Sequence, residues 1–281
     1  MSETLAQRVL AELLADLENN RLVLPTLPEV ALRVRDALDN DDASVGQIAK
    51  VIATDAALTA RLIQVANSPL LRGNREFDTL EAAVTRMGLT MTRNMVTSMV
   101  MEQMFQATAD ATDKRLRAVW EHSTEVAAIS HAMASQFTRL RPEQAMLGGL
   151  VHDIGALPIL SRAEEIPELL ADEAALDEVI AAGHGPLGRA ILQHWHFPPE
   201  LVDVADQHEN LSYDSAPGPD YVDVVIVANL QSHIGTDHPL ASADWSQIPA
   251  FAKLGLSHDV NVVDLDETGE EIAAVKGLLA G

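Results

Sequence analysis

The chain has 281 residues, of which 47% are hydrophobic, so it is long enough to bury a sizeable core in one large domain or two smaller lobes. With 19 basic and 42 acidic side chains its formal net charge is −23, which argues against a nucleic-acid partner because no basic patch offsets the repulsion. The lack of cysteine excludes disulfides, thiolate metal sites and cysteine nucleophiles. No apolar run approaches the roughly 18 residues of a membrane span, so we expect no membrane partner and a cytoplasmic location.

Helical periodicity runs along almost the whole chain, and aromatic residues make up only 4% of it, so the sequence predicts an all-α fold. Apolar residues at every fourth position from Leu5 to Leu17 predict an amphipathic first helix. Ser44 and Gln47 have the spacing of a capping box, which predicts a short helix over residues 44–54.

Asp55 is a suitable cap for the next helix, which should end at the proline-containing turn of residues 67–69. Residues 78–105 predict two helices hinged near Gly88. The second of these helices carries a row of methionines, which indicates adaptable core more strongly than a binding groove. The row consists of Met91, Met95, Met99 and Met104.

A stretch of small and polar residues at 107–115 predicts a boundary between two packed helical lobes. We therefore place an N-terminal helical lobe at residues 1–110. The second lobe then covers residues 111–281 and includes the acidic tail as a C-terminal extension.

In the second lobe, Pro142 suits the first position of a helix that ends at His152. His184 stands among three glycines, and we expect it in a turn where a helix begins. Residues 212–221 have the composition of a surface loop. The apolar residues that follow fit a buried helix or a strand, and the continuation Ala-Asn-Leu-Gln favours a helix.

His152 and Asp153 are neighbours inside the apolar stretch of residues 148–160. An imidazole nitrogen and a carboxylate oxygen are the ligand pair that a catalytic divalent metal favours, and burying both without partners is costly. The pair therefore needs either a metal ion or hydrogen bonds that pin helices together.

Several motifs occur in a fixed order along the chain, from about Val23 to Gly235. The first lobe contains LPTLPEV, IATDAALTARLIQVANSPL and LEAAVTRMGL, and the second contains VWEHSTEVA (119–127), GGLVHDIGAL (148–157), HGPLGRAILQHWHFPPEL (184–201) and ADQHEN (205–210). This ordered set resembles the HDOD proteins, a regulatory branch of the HD phosphohydrolase superfamily found mostly in bacterial signalling. The resemblance implies an N-terminal helical lobe packed on an HD-like helical lobe.

The resemblance also implies a metal site at His122, His152 and Asp153. An aspartate is expected in a late helix, where this chain has Asn229. An amide offers a metal only a neutral carbonyl, whereas a carboxylate adds a negative charge. The resemblance extends this degenerate HD site to the histidines of two further motifs. They are His184 and His208.

Catalytic relatives such as the HD-GYP phosphodiesterases differ from this chain in two further ways. They follow the HD pair with a lysine that meets the substrate phosphate, whereas this chain has Ala156. They also carry a His-His pair and a Gly-Tyr-Pro signature, whereas this chain has Gln207-His208 and no such signature. A methyl group cannot neutralise a phosphate, so we assign no catalytic residue and expect no required cofactor. A divalent ion such as iron, manganese or magnesium is left open.

The sequence therefore predicts a non-catalytic HDOD signalling module that acts by binding a protein partner or a small ligand. The alternative is a metal-dependent phosphohydrolase that acts on a nucleotide or cyclic dinucleotide, with the five His and Asp side chains as ligands. A purely structural assembly subunit is a third interpretation. Arginines near the site leave room for phosphate recognition. They are Arg139, Arg141, Arg162 and Arg189.

Overall fold

The computed structural model describes residues 4–38, 40, 43–71, 76–107 and 110–279. All regular elements in these ranges are helices, which confirms the all-α fold. They are α1 (Leu5–Glu18), α2 (Glu29–Leu38), α3 (Val45–Ile52), α4 (Ala56–Ala66), α5 (Leu80–Met101), α6 (Asp110–Phe137), α7 (Pro142–Val151), α8 (Ala156–Glu164), α9 (Pro167–Ala171), α10 (Glu173–His194), α11 (Pro199–Gln207), α12 (Tyr221–Ser232), α13 (Pro249–Lys253) and α14 (Asp266–Leu279), with short 3-10 helices at Glu102–Met104, Pro239–Ser242, Trp245–Gln247 and Val262–Asp264. Within the described ranges, no helix combines the length and apolar character needed to cross a bilayer.

The helices form two compact units. The first unit comprises Met1–Thr26 and Phe105–Val262, and the second comprises Leu27–Met104 and Val263–Gly281. Both units are discontinuous, whereas the two lobes predicted from the sequence are continuous. The difference arises because α1 packs on α10 in the first unit and because α14 belongs with α2 to α5 in the second.

In the second unit, helix caps and a glycine hinge predicted from the sequence determine where helices begin and bend. The capping box of Ser44 and Gln47 is present at the start of α3, and the Asp55 side chain accepts a hydrogen bond from the backbone of α4. Gly88 has a φ of 74°, a conformation that favours glycine, and it kinks α5 at the predicted hinge. Arg61 donates one hydrogen bond to Glu102 and another to a backbone carbonyl of α14.

The methionine row of the second half of α5 and of the 3-10 helix that follows it is mainly core. Met95 and Met99 are buried, and Met91 and Met104 are half-buried. The interpretation of this row as adaptable core is therefore confirmed.

In the first unit, α6 and α7 form a closely packed hairpin. A Cβ atom on Gly149 would lie 2.7 Å from the Cα of Ala127 in α6, so only glycine permits this approach. Pro142 is the first residue of α7, and the apolar segment for which the sequence favoured a helix over a strand is the helix α12, so both predictions are confirmed.

The expectation that His184 lies at a helix start is wrong, because His184 lies inside α10. The cap is Asp172, whose side chain accepts a hydrogen bond from the backbone of Ala175. The glycines around His184 allow close packing instead of ending the helix. A Cβ atom on Gly155 would collide with the carbonyl oxygen of His184.

A second buried polar cluster, here called the lysine cluster, lies between α12, α13 and the loop before α12. The Lys253 Nζ atom lies 3.2 and 3.3 Å from the two carboxylate oxygens of the fully buried Asp223 and 3.1 Å from Asp214. The same ammonium group lies 5.4 Å from the centre of the Tyr213 ring. The Tyr213 hydroxyl donates to Asp220, the residue that caps α12.

Candidate metal centre

Five of the side chains singled out from the sequence meet in the first unit. His122 lies in α6, His152 caps the C-terminal end of α7, and Asp153 follows in the turn before α8. His184 comes from α10, and His208 caps the C-terminal end of α11. The centre therefore joins four helices at a single point.

Asp153 divides the four histidines into two pairs. Its Oδ2 atom lies 3.8 Å from the Nε2 of His122 and 3.3 Å from the Nε2 of His152. Its Oδ1 atom lies 3.6 Å from the Nε2 of His184 and 3.3 Å from the Nε2 of His208. We call His122, His152 and Asp153 the first triad, and Asp153, His184 and His208 the second triad.

Within each pair the two Nε2 atoms face each other. They are 3.2 Å apart in His122 and His152, and 3.1 Å apart in His184 and His208. In three of the four rings the Nδ1 atom lies within hydrogen-bonding distance of a backbone carbonyl of the preceding helical turn. These contacts join His152 to Gly149 at 2.7 Å, His184 to Ile180 at 2.8 Å and His208 to Val204 at 3.2 Å.

A neutral imidazole that donates from Nδ1 presents a lone pair at Nε2. In the second triad both rings are fixed in this way, so two lone pairs and a carboxylate oxygen converge. Such an arrangement is stable only if a proton or a metal ion lies among the three acceptors. In the first triad only His152 is fixed, and among the described residues the Nδ1 atom of His122 has no hydrogen-bond partner.

The histidines differ in their affinity for protons. Burial lowers the pKa of His152 to about 3, and burial also lowers the pKa of His122. Burial opposes a charge on His208 as well, but the hydrogen bond and the attraction to Asp153 outweigh it and raise the pKa of His208. Burial would raise the pKa of Asp153, yet the surrounding histidines hold that pKa well below its usual range.

Both triads are groups that could hold a metal ion. Ligands at about 2.1 Å from a tetrahedral ion lie about 3.4 Å from one another, and the donor atoms of each triad have similar separations. Three protein ligands leave a coordination position for water or a ligand. His122 and Asp153 are 24% and 21% exposed, so solvent can reach the centre. The residues present therefore fit a divalent ion.

Asn229, the neutral residue at the expected aspartate position, is buried in α12. In the described part of the chain its Oδ1 atom has no hydrogen-bond partner, so this acceptor is unsatisfied. His233 follows one helical turn later on the same face, and its ring stacks on His122 with 4.9 Å between centroids. The unsatisfied amide thus lies on the helix face that contacts the first triad.

Sequence reasoning missed three side chains near the centre. His233 stacks on His122 and on His238, with 3.8 Å between the centroids of the latter pair. Glu209 lies with its Oε2 atom 3.9 Å from the Nε2 of His184. A spacing of four residues after Asn229 was the available signal for His233, and adjacency to His208 was the signal for Glu209. His238 follows an irregular turn and gave no signal.

The arginines proposed for phosphate recognition have other positions. Arg162 pairs with Glu165 at 3.0 Å and Arg189 pairs with Asp206 at 2.9 Å. Arg141 lies 3.7 Å from Glu143, and Arg139 is exposed. Within the described ranges, all ion-pair partners of Asp153 are histidines.

Comparison with known proteins places these observations in a family. The model of the HDOD domain matches residues 24–211. The chain belongs to the HDOD family. This HDOD chain is similar, at 32% identity and a TM-score of 0.86, to a solved structure from Shewanella amazonensis SB2B named "Putative metal-dependent phosphohydrolase", with 98% of this chain and 99% of the other covered.

A second solved structure, an HDOD domain protein with unknown function from Geobacter sulfurreducens, is 22% identical with a TM-score of 0.69 over 96% of this chain and 98% of the other. It has the same fold. An uncharacterized protein from Treponema pallidum (strain Nichols) is 24% identical over 221 residues, which are 74% of this HDOD chain. The match covers 42% of that relative's length.

Proposed function

We propose that this HDOD chain is a signalling module that binds a divalent metal ion at its His–Asp centre and acts by binding a protein partner or a small ligand. The observation that carries the proposal is the second triad, in which two Nε2 lone pairs and a carboxylate oxygen converge. A bound ion would supply the positive charge that these acceptors need.

The ligands come from four different helices or their ends. His122, His152, Asp153, His184 and His208 are the side chains that would hold the ion or ions. Because these residues are far apart in the chain, an ion that binds only the assembled centre favours the assembled arrangement of α6, α7, α10 and α11. Metal binding thereby gives the module two states that a partner can distinguish.

The groups around the centre favour binding over hydrolysis. Ala156 is buried and apolar where catalytic relatives have a phosphate-binding lysine. Asn229 brings no charge to the first triad, and two of the four candidate arginines form close ion pairs with carboxylates elsewhere. Two-metal phosphoryl transfer needs groups that neutralise the developing negative charge, and neither Ala156 nor Asn229 supplies one.

Elemental analysis of protein purified without chelators tests the proposal. We expect at least one divalent ion per chain in the wild type and none in Asp153→Asn, which keeps the shape of the side chain but removes its charge. We expect no hydrolysis of cyclic dinucleotides by either protein in the presence of Mn²⁺. Wild-type protein without metal affinity would contradict the metal site, and turnover that depends on Asp153 would contradict the non-catalytic role.

A second candidate function is a metal-dependent phosphohydrolase. It is favoured by the solvent-accessible ligands His122 and Asp153, and by the name of the Shewanella amazonensis relative. This function predicts Mn²⁺-stimulated release of product from a nucleotide or cyclic dinucleotide. The Asp153→Asn variant distinguishes such turnover from a contaminating activity, because only turnover at this centre is lost with the carboxylate.

A further inference from the structure

The two triads share Asp153 but differ in how firmly their histidines are held. Both rings of the second triad are fixed by Nδ1 contacts to backbone carbonyls, and both are buried, with His184 at 7% exposure and His208 at 2%. In the first triad, His122 is 24% exposed and its Nδ1 atom has no hydrogen-bond partner in the described part of the chain. Ligands that are fixed before binding lose less entropy when an ion arrives.

The triads also differ in whether their hydrogen bonds can be satisfied with both histidine rings neutral. Because His122 is free to carry its proton on Nε2, it can donate to the Nε2 of His152. The second triad has no such solution with both rings neutral, since both Nδ1 atoms already face carbonyl oxygens, and it needs an added proton or an ion. Its need for a positive charge is therefore the greater.

The distribution of negative charge reinforces this difference. Beside the second triad, the Oε2 atom of Glu209 lies 3.9 Å from the Nε2 of His184, and the side chain is 41% exposed and attached by rotatable bonds. Beside the first triad, the corresponding late-helix position is the neutral Asn229. A divalent ion in the second triad would have the carboxylates of Asp153 and Glu209 within 4 Å of its histidines, whereas in the first triad Asp153 is the carboxylate in direct contact and Glu125 only attracts His122 electrostatically.

From these three differences we infer that the second triad takes the first divalent ion and that Glu209 is its additional ligand. The first triad is then the weaker site. This inference rests on the proposed metal binding and assigns to Glu209 a role that the sequence motifs did not give it.

Titration of chelator-stripped full-length protein with Mn²⁺, followed by the electron paramagnetic resonance signal of free Mn²⁺, tests the inference. We expect one tight ion in the wild type, its retention in His122→Gln, and a loss of affinity of about 100-fold in His208→Gln. The reverse ranking of the two histidine variants, or two ions of equal affinity in the wild type, would overturn the inference while leaving metal binding intact.

Glu209→Gln tests the ligand without disturbing the core, because Glu209 is exposed. We expect the first ion to bind about tenfold more weakly. Glu164→Gln is the matched control, since it removes one exposed carboxylate of the same unit, and its affinity should equal that of the wild type. Equal affinities of the two glutamine variants would remove Glu209 from the site. If the wild type binds no Mn²⁺ at all, both the proposed function and this inference fail.

Discussion

The first unit contains two buried polar clusters that are built on opposite principles. In the lysine cluster, the ammonium group of Lys253 lies within 3.1–3.3 Å of the carboxylates of Asp214 and Asp223, so the folded chain itself supplies a cation to both carboxylates. In the second triad, lone pairs of His184 and His208 face each other and a carboxylate. The lysine cluster is complete in the folded chain, whereas the candidate metal centre needs a positive charge from a proton or an ion.

This contrast separates a structural role from a binding role. A buried carboxylate such as Asp223 that has its own ammonium partner needs no ligand, and its energetic cost appears when that partner is removed. A buried cluster of hydrogen-bond acceptors has a deficit of positive charge, which a bound cation can supply. Charge complementarity is therefore a better indicator of function here than burial, which the two clusters share.

The largest effect is expected in the lysine cluster. Lys253→Met leaves the buried Asp223 without its counter-charge, so the free energy of unfolding should fall by about 3–5 kcal/mol. Denaturant unfolding with and without chelator measures this loss, which should not depend on metal. Lys114→Met removes an exposed lysine of the same unit and should change stability by less than about 0.5 kcal/mol.

A double variant sharpens this test. Replacing Asp223 by Asn in the Lys253→Met background removes the unpaired charge and should restore part of the lost stability. No recovery would mean that packing of the lysine chain, and not its charge, holds the cluster together.

The second-largest effect is expected at the metal centre. Mn²⁺ at 100 times its dissociation constant should raise the free energy of unfolding of the wild type by about 2.7 kcal/mol, because the ion binds only the folded centre. Thermal or denaturant unfolding measures the increase. Asp153→Asn should show none, whereas Lys253→Met should still respond to Mn²⁺. A response that survives in Asp153→Asn would place the ion elsewhere.

The pH dependence of metal affinity gives a smaller effect. The pKa of His208 is raised above its ordinary value because of its hydrogen bond to and attraction by Asp153, so below that pKa an ion that binds this ring displaces a proton from it. Affinity should therefore rise by up to about tenfold, or 1.4 kcal/mol, for each pH unit below that pKa and level off above it. The pKa of His152, at about 3, adds no dependence near neutrality.

Calorimetry in buffers of different ionisation enthalpy measures the protons released when Mn²⁺ binds. Release of about one proton below neutral pH, lost in His208→Gln, is the expected result. Affinity that does not change with pH in the wild type would mean that the unliganded centre is not protonated at His208.

The smallest effect concerns Tyr213 of the lysine cluster. Burial raises its pKa from 10.0 to about 12, so the folded state disfavours the phenolate that the unfolded chain forms. This contribution to stability is fully present below pH 10 and is lost as the pH rises through 12. Denaturant unfolding between these limits should show a steeper decline in the wild type than in Tyr213→Phe. Identical declines would show that Tyr213 titrates normally.

Local structure was predictable where neighbouring residues determine it. The capping box at Ser44 and the hinge at Gly88 depend on residues within a few positions of each other. The start of α10 was misplaced because the glycines around His184 resembled a break. They allow close packing instead, Gly188 against Gly155 and Gly185 against the backbone of Ala205 and Asp206, and a local pattern cannot show contacts with residues that are distant in sequence.

The candidate centre was predictable as a set of residues but not as an arrangement. The order of the motifs singled out His122 and His208 together with the HD pair. It did not indicate that Asp153 stands between two pairs, because that follows from the packing of α6, α10 and α11. The pairing of Lys253 with Asp223 likewise could not be predicted, because the two residues are thirty positions apart and lie outside every motif.

Gly149 and Gly155 flank the HD pair and set the depth at which it sits between α6 and α10. A methyl group at either position would push the turn outward and move Asp153 away from histidines that are anchored in other helices. Ligand sets tolerate shifts of only about 0.5 Å. Alanine at either position should therefore abolish the proposed binding of a cation although all five candidate ligand side chains are unchanged.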